Sequence, residues 1–213
     1  MTWSVAGAGR KIADQCRRAL SLLGPSSPVP GDKATLDGQY ASGVWDYLRS
    51  VPELPRFGVI VAFCHHFKHL GSILEIGCGE GLLPTRLDHS RYSRYLGVDI
   101  SSTAIDLASR RCDAKTTFAV GDARSFVPSD SFDVIVFSEC LEYFADPLSL
   151  VRRYEPFLAP GGMFIVSRFF GLDAGRTRRI WRGLDSAYHV AADSDVSNSD
   201  GFRWRIKVLL PTP

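Results

Sequence analysis

Short apolar runs alternate with amphipathic stretches along the central part of the chain, as in proteins whose strands and helices follow one another in turn. The apolar runs predict five strands, near residues 72–76, 95–99, 116–120, 133–138 and 162–167. The amphipathic stretches predict helices near residues 81–88, 103–111 and 148–157, and Ser101 or Ser102 is a suitable N-cap for the second. Such alternation predicts a parallel sheet covered by helices.

The N-terminal part departs from this alternation. Residues 24–38 are rich in Gly, Pro, Ser and Asp, which predicts a linker, and helices are predicted over 40–48 and 56–69. Before the linker, basic and apolar residues alternate within 1–24, which predicts a short amphipathic helix. We expect this helix to dock on the domain or cap it; contact with a membrane surface is the alternative.

The C-terminal part carries a helical pattern over 175–187 and then two strand patterns, over 188–196 and 202–210, joined by a polar turn. The last segment alternates in its first half, which favours a strand near the edge of the sheet. A terminal hairpin is therefore predicted.

Three glycines at alternate positions follow the first predicted strand. Gly77, Gly79 and Gly81 can adopt positive φ and allow a ligand to approach the backbone closely. Asp99 ends the next predicted strand, about 20 residues further on, where a carboxylate suits the hydroxyls of a ribose. The pattern predicts an adenosine-containing cofactor.

The glycine spacing separates two kinds of cofactor site. A dinucleotide fingerprint reads G-x-G-x-x-G, with the third glycine one place later than Gly81. Here Glu75 precedes the first glycine by two places, so the segment resembles E/D-x-G-x-G-x-G, the first motif of the class I S-adenosylmethionine-dependent methyltransferases. Three later segments resemble further motifs of that family, in the expected order: 121–123, 132–143 and 158–166.

The resemblance implies an α/β fold: a doubly wound, Rossmann-like, seven-stranded and mostly parallel sheet with an antiparallel terminal hairpin and an N-terminal helical cap. We expect residues 1–70 to form the cap and linker and residues 71–213 to form the cofactor-binding core. The implied cofactor is S-adenosyl-L-methionine. Its implied binding residues are Glu75, Gly77, Cys78, Gly79, Gly81, Asp99, Ile100, Asp122, Ala123, Ser138 and Tyr40.

Roles within that set also follow from the resemblance. The glycines would shape a turn against the methionine part, with Glu75 supporting it. Asp99 would bind the ribose, and Asp122 with Ala123 would hold the adenine. Tyr40 would belong to a helix that covers the cofactor, although aromatic residues at helical spacing are more often plain packing residues.

Two carboxylates follow the fourth predicted strand, at the sheet edge where ligands bind in open α/β folds. Glu142 is the preferred general base or acceptor-binding residue and Glu139 is the second; either could instead cap a helix or face solvent. The loop does not read [N/D]-P-P-[Y/F], the motif of many methyltransferases that act on nucleic-acid bases. A basic run at residues 176–182 is a solvated surface or a grip on an anionic acceptor.

The composition excludes some classes of protein but does not indicate a particular reaction. The chain has 213 residues, 45% of them hydrophobic, and a net charge of +2 that does not indicate a nucleic-acid partner. No signal-type or membrane-spanning apolar run is present in it, and its five scattered cysteines favour a reducing, cytoplasmic environment. His65 and His69 are spaced to chelate a metal on a helix, but the sequence places no third ligand, so we expect no metal site.

The sequence therefore predicts an enzyme that transfers a methyl group from S-adenosylmethionine to an oxygen or nitrogen of a small molecule. A looser resemblance to the methyltransferases related to nodulation protein S suggests a sugar or glycoconjugate acceptor. We expect a monomer or homodimer with no nucleic-acid or membrane partner. A nicotinamide-dependent oxidoreductase and a non-catalytic, cofactor-binding scaffold are the alternatives.

Overall fold

The computed structural model describes residues 31–170, 174–198 and 200–212, so the amphipathic helix predicted within 1–24 lies outside the described residues. Seven strands form one sheet in the order β3-β2-β1-β4-β5-β7-β6. They are β1 (Gly71–Ile76), β2 (Tyr92–Asp99), β3 (Thr116–Val120), β4 (Phe132–Ser138), β5 (Leu158–Phe169), β6 (Tyr188–Ser197) and β7 (Arg203–Pro211). The first five are parallel, and β7 runs antiparallel to both β5 and β6, which confirms the predicted fold class.

Five α-helices accompany the sheet in the described part of the chain. They are α1 (Lys33–Ala41), α2 (Leu54–Phe67), α3 (Ser102–Ser109), α4 (Pro147–Arg153) and α5 (Ala174–Ala187). The predicted N-cap is confirmed, because the Ser101 side chain accepts a hydrogen bond from the amide of Ala104. In the part of the chain that the structure describes, no helix is long and apolar enough to cross a membrane.

The helix predicted near 81–88 is wrong. The chain turns irregularly after the glycines and makes one 3₁₀ turn, Pro84–Arg86, before Leu87 returns to extended backbone. Gly81 has φ of 71°, outside the right-handed helical region, and Pro84 has no N–H to make the first hydrogen bond of a helix that began there.

The N-terminal helix is also shifted from its prediction. Helix α1 lies partly inside the predicted linker and begins where Asp32 caps it, accepting a hydrogen bond from the Thr35 amide at 2.9 Å. The segment predicted as a helix over 40–48 is broken at Gly43, whose φ is 73°, and ends in a 3₁₀ turn, Asp46–Arg49. Asp32 follows several glycines and prolines, so its segment was assigned to the linker and its role as an N-cap was not predicted.

The central strands are buried on both faces, so successive side chains enter two different cores. On one face, Leu74 and Ile76 of β1 pack with residues of α4 and α5. On the other, Ile73 packs with Phe57 and Ile60 of α2. This burial holds β1 rigidly in the middle of the sheet.

The strand order reverses at β1: β2 and β3 lie on one side of it, and β4 and β5 on the other. The loops after β1 and β4 therefore diverge at the carboxyl edge of the sheet and leave a crevice between them. This is the position where open α/β sheets bind ligands.

Candidate active site

Three glycines form a tight turn directly after β1, at the mouth of this crevice. Gly77, Gly79 and Gly81 have φ angles of 74°, 55° and 71°, a region that other residues rarely adopt. The packing also excludes a side chain: a Cβ on Gly77 would lie 2.6 Å from Cβ of Cys140, and one on Gly81 would lie 2.6 Å from the Phe118 ring. Conformation and packing both require glycine at these positions.

Asp99 lies beside this turn at the end of β2 and is almost fully buried. One carboxylate oxygen accepts a hydrogen bond from the Gly79 amide and the other from the Ser101 amide, both at 2.9 Å. Burial raises the pKa of Asp99, while the two amide donors act in the opposite direction. Each oxygen retains a further lone pair for a ligand hydroxyl.

Glu75 is buried in β1 and accepts a hydrogen bond from the Tyr95 hydroxyl. Burial raises its pKa to about 8, against the opposing effect of that hydrogen bond. This hydrogen bond joins Glu75 to the neighbouring strand β2, whereas we expected Glu75 to support the glycine turn.

The loop after β3 forms the next wall. Asp122 is half-buried and accepts hydrogen bonds from the Arg124 guanidinium, which lower its pKa. Ala123 is buried, and its carbonyl accepts a hydrogen bond from the Tyr154 hydroxyl at 3.0 Å. Both Asp122 and Ala123 line the crevice, together with Arg124.

A single cavity of about 810 Å³ connects these loops. Of the predicted cofactor residues, all line it except Gly81, which packs against Phe118 instead. Both predicted carboxylates, Glu139 and Glu142, also line it. The cavity therefore joins the glycine turn to the loop that follows β4.

Glu139 has a strained backbone, with φ of 54° at a residue that carries a side chain. Its two carboxylate oxygens accept hydrogen bonds from the Ser167 hydroxyl at 2.5 Å and the Phe169 amide at 2.6 Å. Among the described residues, no cationic side chain lies within ion-pair distance of it.

Glu142 differs from Glu139 in having a cationic partner. It forms an ion pair with the buried Arg168, and Arg176 donates to its backbone carbonyl at 2.7 Å. Burial raises the pKa of Glu142 to about 7, while the charge of Arg168 opposes that effect. Glu142 thus links the loop after β4 to β5 through Arg168 and to α5 through Arg176.

Glu53 and Arg56 form an ion pair in the cavity wall that was not predicted from the sequence. Both side chains are buried, and Nε of Arg56 donates to Glu53 at 2.7 Å while Nη1 donates to Ser138 Oγ at 3.0 Å. Burial raises the pKa of Glu53, although Arg56 counteracts it. The sequence does show two opposite charges three residues apart at the start of a helix. Pairs with that spacing are common on solvent-exposed helix faces, so the spacing alone does not indicate a buried pair.

Residues 32–53, which we call the lid segment, lie over the cavity mouth. The Tyr40 hydroxyl would be 2.5 Å from a Cβ on Gly79, so it lies directly on the glycine turn. Polar contacts near both ends anchor the segment to the core. Asp37 accepts from the Ser101 hydroxyl at 2.7 Å, and Arg49 donates through Nε to both oxygens of the buried Glu80, at 2.8 and 2.9 Å.

A family model described as a methyltransferase domain matches residues 10–196. The chain belongs to this methyltransferase family. The match confirms the predicted methyltransferase family.

Curated relatives are similar to part of the chain. A malonyl-[acyl-carrier protein] O-methyltransferase of Brevibacillus brevis is 34% identical over 46% of this chain and 38% of its own length. A norajmaline N-methyltransferase of Rauvolfia serpentina is 27% identical over 64% of this chain and 47% of its own length. The chain thus spans less than half the length of the curated relatives it matches.

Solved methyltransferase structures share the fold. N-methyltransferase NodS from Bradyrhizobium japonicum WM9, in complex with S-adenosyl-L-homocysteine, has a TM-score of 0.71 at 21% identity, over 85% of this chain and 100% of that one. Magnesium protoporphyrin IX methyltransferase from Synechocystis PCC 6803, with S-adenosylmethionine bound, has a TM-score of 0.62 at 15% identity, over 87% and 100%. The predicted likeness to nodulation protein S is confirmed at the level of the fold.

The residues of this methyltransferase fit S-adenosylmethionine. The glycine turn leaves backbone accessible where any Cβ would collide, and Asp99 offers lone pairs beside it. In addition, the indole nitrogen of Trp45, which lines the cavity, is a buried donor without a partner among the described residues. Such a donor is costly unless a ligand or water satisfies it.

The basic run of α5 separates into two parts. Arg176 is held by the carbonyls of Glu142 and Phe144. The others, Arg178, Arg179 and Arg182, are exposed and do not line the cavity. The His65–His69 pair does not share a helix either, because α2 ends at Phe67.

Proposed function

We propose that this chain transfers a methyl group from S-adenosylmethionine to an oxygen or nitrogen of a small molecule. The observation that carries the proposal is the single cavity that joins the glycine turn and Asp99 to the carboxylates after β4. A cofactor site and a reactive polar site share one cavity, as a transfer between two ligands requires.

The cofactor half would use the backbone more than side chains. The glycine turn would receive the methionine part, with Cys78 and Ile100 beside it, and Asp99 would bind the ribose hydroxyls. Asp122 and Ala123 would lie against the adenine. Tyr40, which lies on Gly79, would cover this half of the cavity.

When bound, S-adenosylmethionine supplies a methyl group on a cationic sulfur, which is already a good leaving group. The protein then has to align the acceptor and exclude water rather than provide strong acid–base catalysis. Ser138 and Glu139 lie at the end of β4, between the two halves of the cavity. We assign the positioning of the acceptor to Glu139 before Glu142, since Arg168 already neutralises Glu142.

The acceptor scaffold is the small molecule that carries the methylated oxygen or nitrogen. The relatives named above include both an O-methyltransferase and an N-methyltransferase, and likeness to them does not select an acceptor. A sugar or glycoconjugate remains our proposed scaffold, with residues 1–70 as the cap that covers it. Polar and aromatic side chains line the same cavity, among them Glu53, Arg56, Phe169 and Phe202. This combination of polar and aromatic groups supports a sugar as the acceptor.

Calorimetric titration with S-adenosylhomocysteine tests the cofactor site. We expect Asp99→Ala to weaken binding by about 1–3 kcal/mol, because hydrogen bonds to a charged group are lost. Asp106→Ala on the exposed side of α3 is the matched control and should bind as the wild type does. Absence of binding to folded wild-type protein would contradict the proposal.

Binding alone would also suit a non-catalytic scaffold. Release of S-adenosylhomocysteine from S-adenosylmethionine in the presence of an acceptor panel distinguishes the two. Turnover above the rate without acceptor supports the enzyme, and tight binding with no turnover across the panel favours the scaffold.

A further inference from the structure

The end of the cavity beyond Ser138 has an unbalanced charge. We call this region the acceptor end and define it by Glu53, Arg56, Glu139, Phe169, Phe202 and Trp204, all of which line the cavity. Its fixed charges are two carboxylates and one guanidinium. The nearby Glu142 is paired with Arg168, so those two charges offset each other.

The single cation at this end is already engaged. Arg56 donates to Glu53 and to Ser138, and its guanidinium lies 3.9 Å from the centre of the Phe57 ring. An acceptor carboxylate that approached Arg56 would also meet the charges of Glu53 and Glu139 in a poorly solvated space. Like charges at short range in such a space repel strongly.

Glu139 is the carboxylate in excess at this end, because the ion pair of Arg56 is with Glu53. Its hydrogen bonds come from a hydroxyl and an amide, both neutral donors. These bonds fix the carboxylate without neutralising it, and each oxygen keeps a lone pair. The strained backbone at this residue is consistent with a functional reason for its placement.

Aromatic residues line the same cavity as this carboxylate, and the backbone amide of one of them, Phe169, donates to it. The ring of Phe169 packs at 5.6 Å from those of both Phe202 and Trp204, and Phe169 and Phe202 are only half-buried. Aromatic faces attract cations through their quadrupoles. A carboxylate next to aromatic faces suits a basic nitrogen better than an acid or a neutral hydroxyl.

We propose that the group methylated here is an amine, held by Glu139 and the aromatic rings of the acceptor end. This inference rests on the proposed function and decides between its nitrogen and oxygen alternatives. The amine enters as an ammonium and passes one proton to the Glu139 carboxylate, which leaves the nitrogen with a nucleophilic lone pair and later releases the proton to water. Its lone pair then bonds to the methyl carbon while the carbon–sulfur bond breaks and its electron pair goes to sulfur. The methylated product is again an ammonium, so the transfer itself is balanced.

Three probes that differ only in their functional group test this assignment: benzylamine, benzyl alcohol and benzoate. Each is titrated at neutral pH into the full chain saturated with S-adenosylhomocysteine, and its affinity is measured by calorimetry. We expect benzylamine to bind at least about tenfold more tightly than either of the other two, because it gains a charge-assisted hydrogen bond. Glu139→Gln should remove most of that preference.

The controls separate charge from structure. Glu139→Gln should keep S-adenosylhomocysteine affinity within about twofold, a difference well below 1 kcal/mol. Glu155→Gln, at a carboxylate that accepts a hydroxyl hydrogen bond from Tyr188 away from the cavity, should leave every affinity unchanged. Methyl transfer to benzylamine from radiolabelled S-adenosylmethionine is the second readout, and it should be lost in Glu139→Gln.

Other outcomes overturn the proposal in distinguishable ways. Equal or absent binding of the three probes to a protein that binds S-adenosylhomocysteine rejects the amine and leaves the proposed function standing. Preferential binding of benzoate that is lost in Arg56→Gln would assign a carboxylate acceptor instead. Failure to bind S-adenosylhomocysteine would remove the proposed function and this inference together.

Discussion

The two halves of the cavity are built by different means. In the cofactor half, glycine conformations and backbone amides form the wall, and Asp99 fixes that wall through two amide hydrogen bonds. In the acceptor end, side chains from α2, β4, β5 and β7 form the wall through ion pairs and ring contacts. A backbone site is constrained to one ligand, whereas a side-chain site can change its ligand by substitution.

The largest effect should come from the acceptor end, through Arg56→Met. Removing the guanidinium leaves the Glu53 carboxylate buried and unpaired, and breaking such a pair costs about 3–5 kcal/mol of unfolding free energy. Chemical denaturation measures it. The double variant Glu53→Gln/Arg56→Met should recover much of the loss, and equal losses in the single and double variants would show that the pair is not what stabilises this wall.

The cofactor half should respond to a change as small as one methyl group. Gly77→Ala would hold alanine at φ of 74° with Cβ 2.6 Å from Cys140, so we expect a loss of about 2–4 kcal/mol from strain and overpacking. The control is Gly58→Ala in α2, where nothing lies within 4 Å of the added carbon. That variant should gain about 0.5–1 kcal/mol from helix propensity, and similar effects at both sites would contradict the backbone description.

The pH dependence of the unfolding free energy tests the burial of Glu75 in the cofactor half. Its pKa is raised to about 8 from 4.5, so the folded state holds a proton that the unfolded state has released between those values. The stability contribution of this group is therefore complete below about pH 4.5 and is lost as pH rises toward 8, by at most about 1.4 kcal/mol per pH unit. Stability curves of the wild type and Glu75→Gln should diverge over that range, and parallel curves would reject the raised pKa.

The smallest effect should be at the contact between the lid segment and the cofactor half. Arg49 is half exposed, so its pair with Glu80 is worth less than a buried one, and Arg49→Ala should speed dissociation of S-adenosylhomocysteine by about fivefold. Stopped-flow measurement tests it, with Arg94→Ala, which breaks the exposed pair with Asp130, as the control. An unchanged rate would show that the pair of Arg49 with Glu80 does not hold the segment closed.

The same contrast explains what the sequence could predict. The glycines and Asp99 are close in sequence, and their chemistry is set by backbone geometry, so their pattern indicated the cofactor half. The strands and most helices followed from periodicity. The helix after Gly81 was wrong because Pro84 and three buried leucines, Leu82, Leu83 and Leu87, overrode a helical pattern.

The acceptor end could not be predicted in this way. Arg56 and Ser138 are 82 positions apart, and only the packing of α2 on the sheet joins them. The charge state of Glu142 likewise depends on Arg168, a residue on another strand. The preference for Glu142 as the base rested on sequence position alone, and sequence position does not specify which carboxylate meets a buried cation.

The lid segment has a kinetic consequence. Tyr40 lies on the glycine turn, while Tyr47 and Leu48 of the same segment line the cavity beside Arg56. Lifting the segment to exchange the cofactor also removes part of the wall that an acceptor needs. Steady-state kinetics should therefore follow a compulsory order, in which the cofactor binds first, the acceptor second, and the demethylated cofactor leaves last.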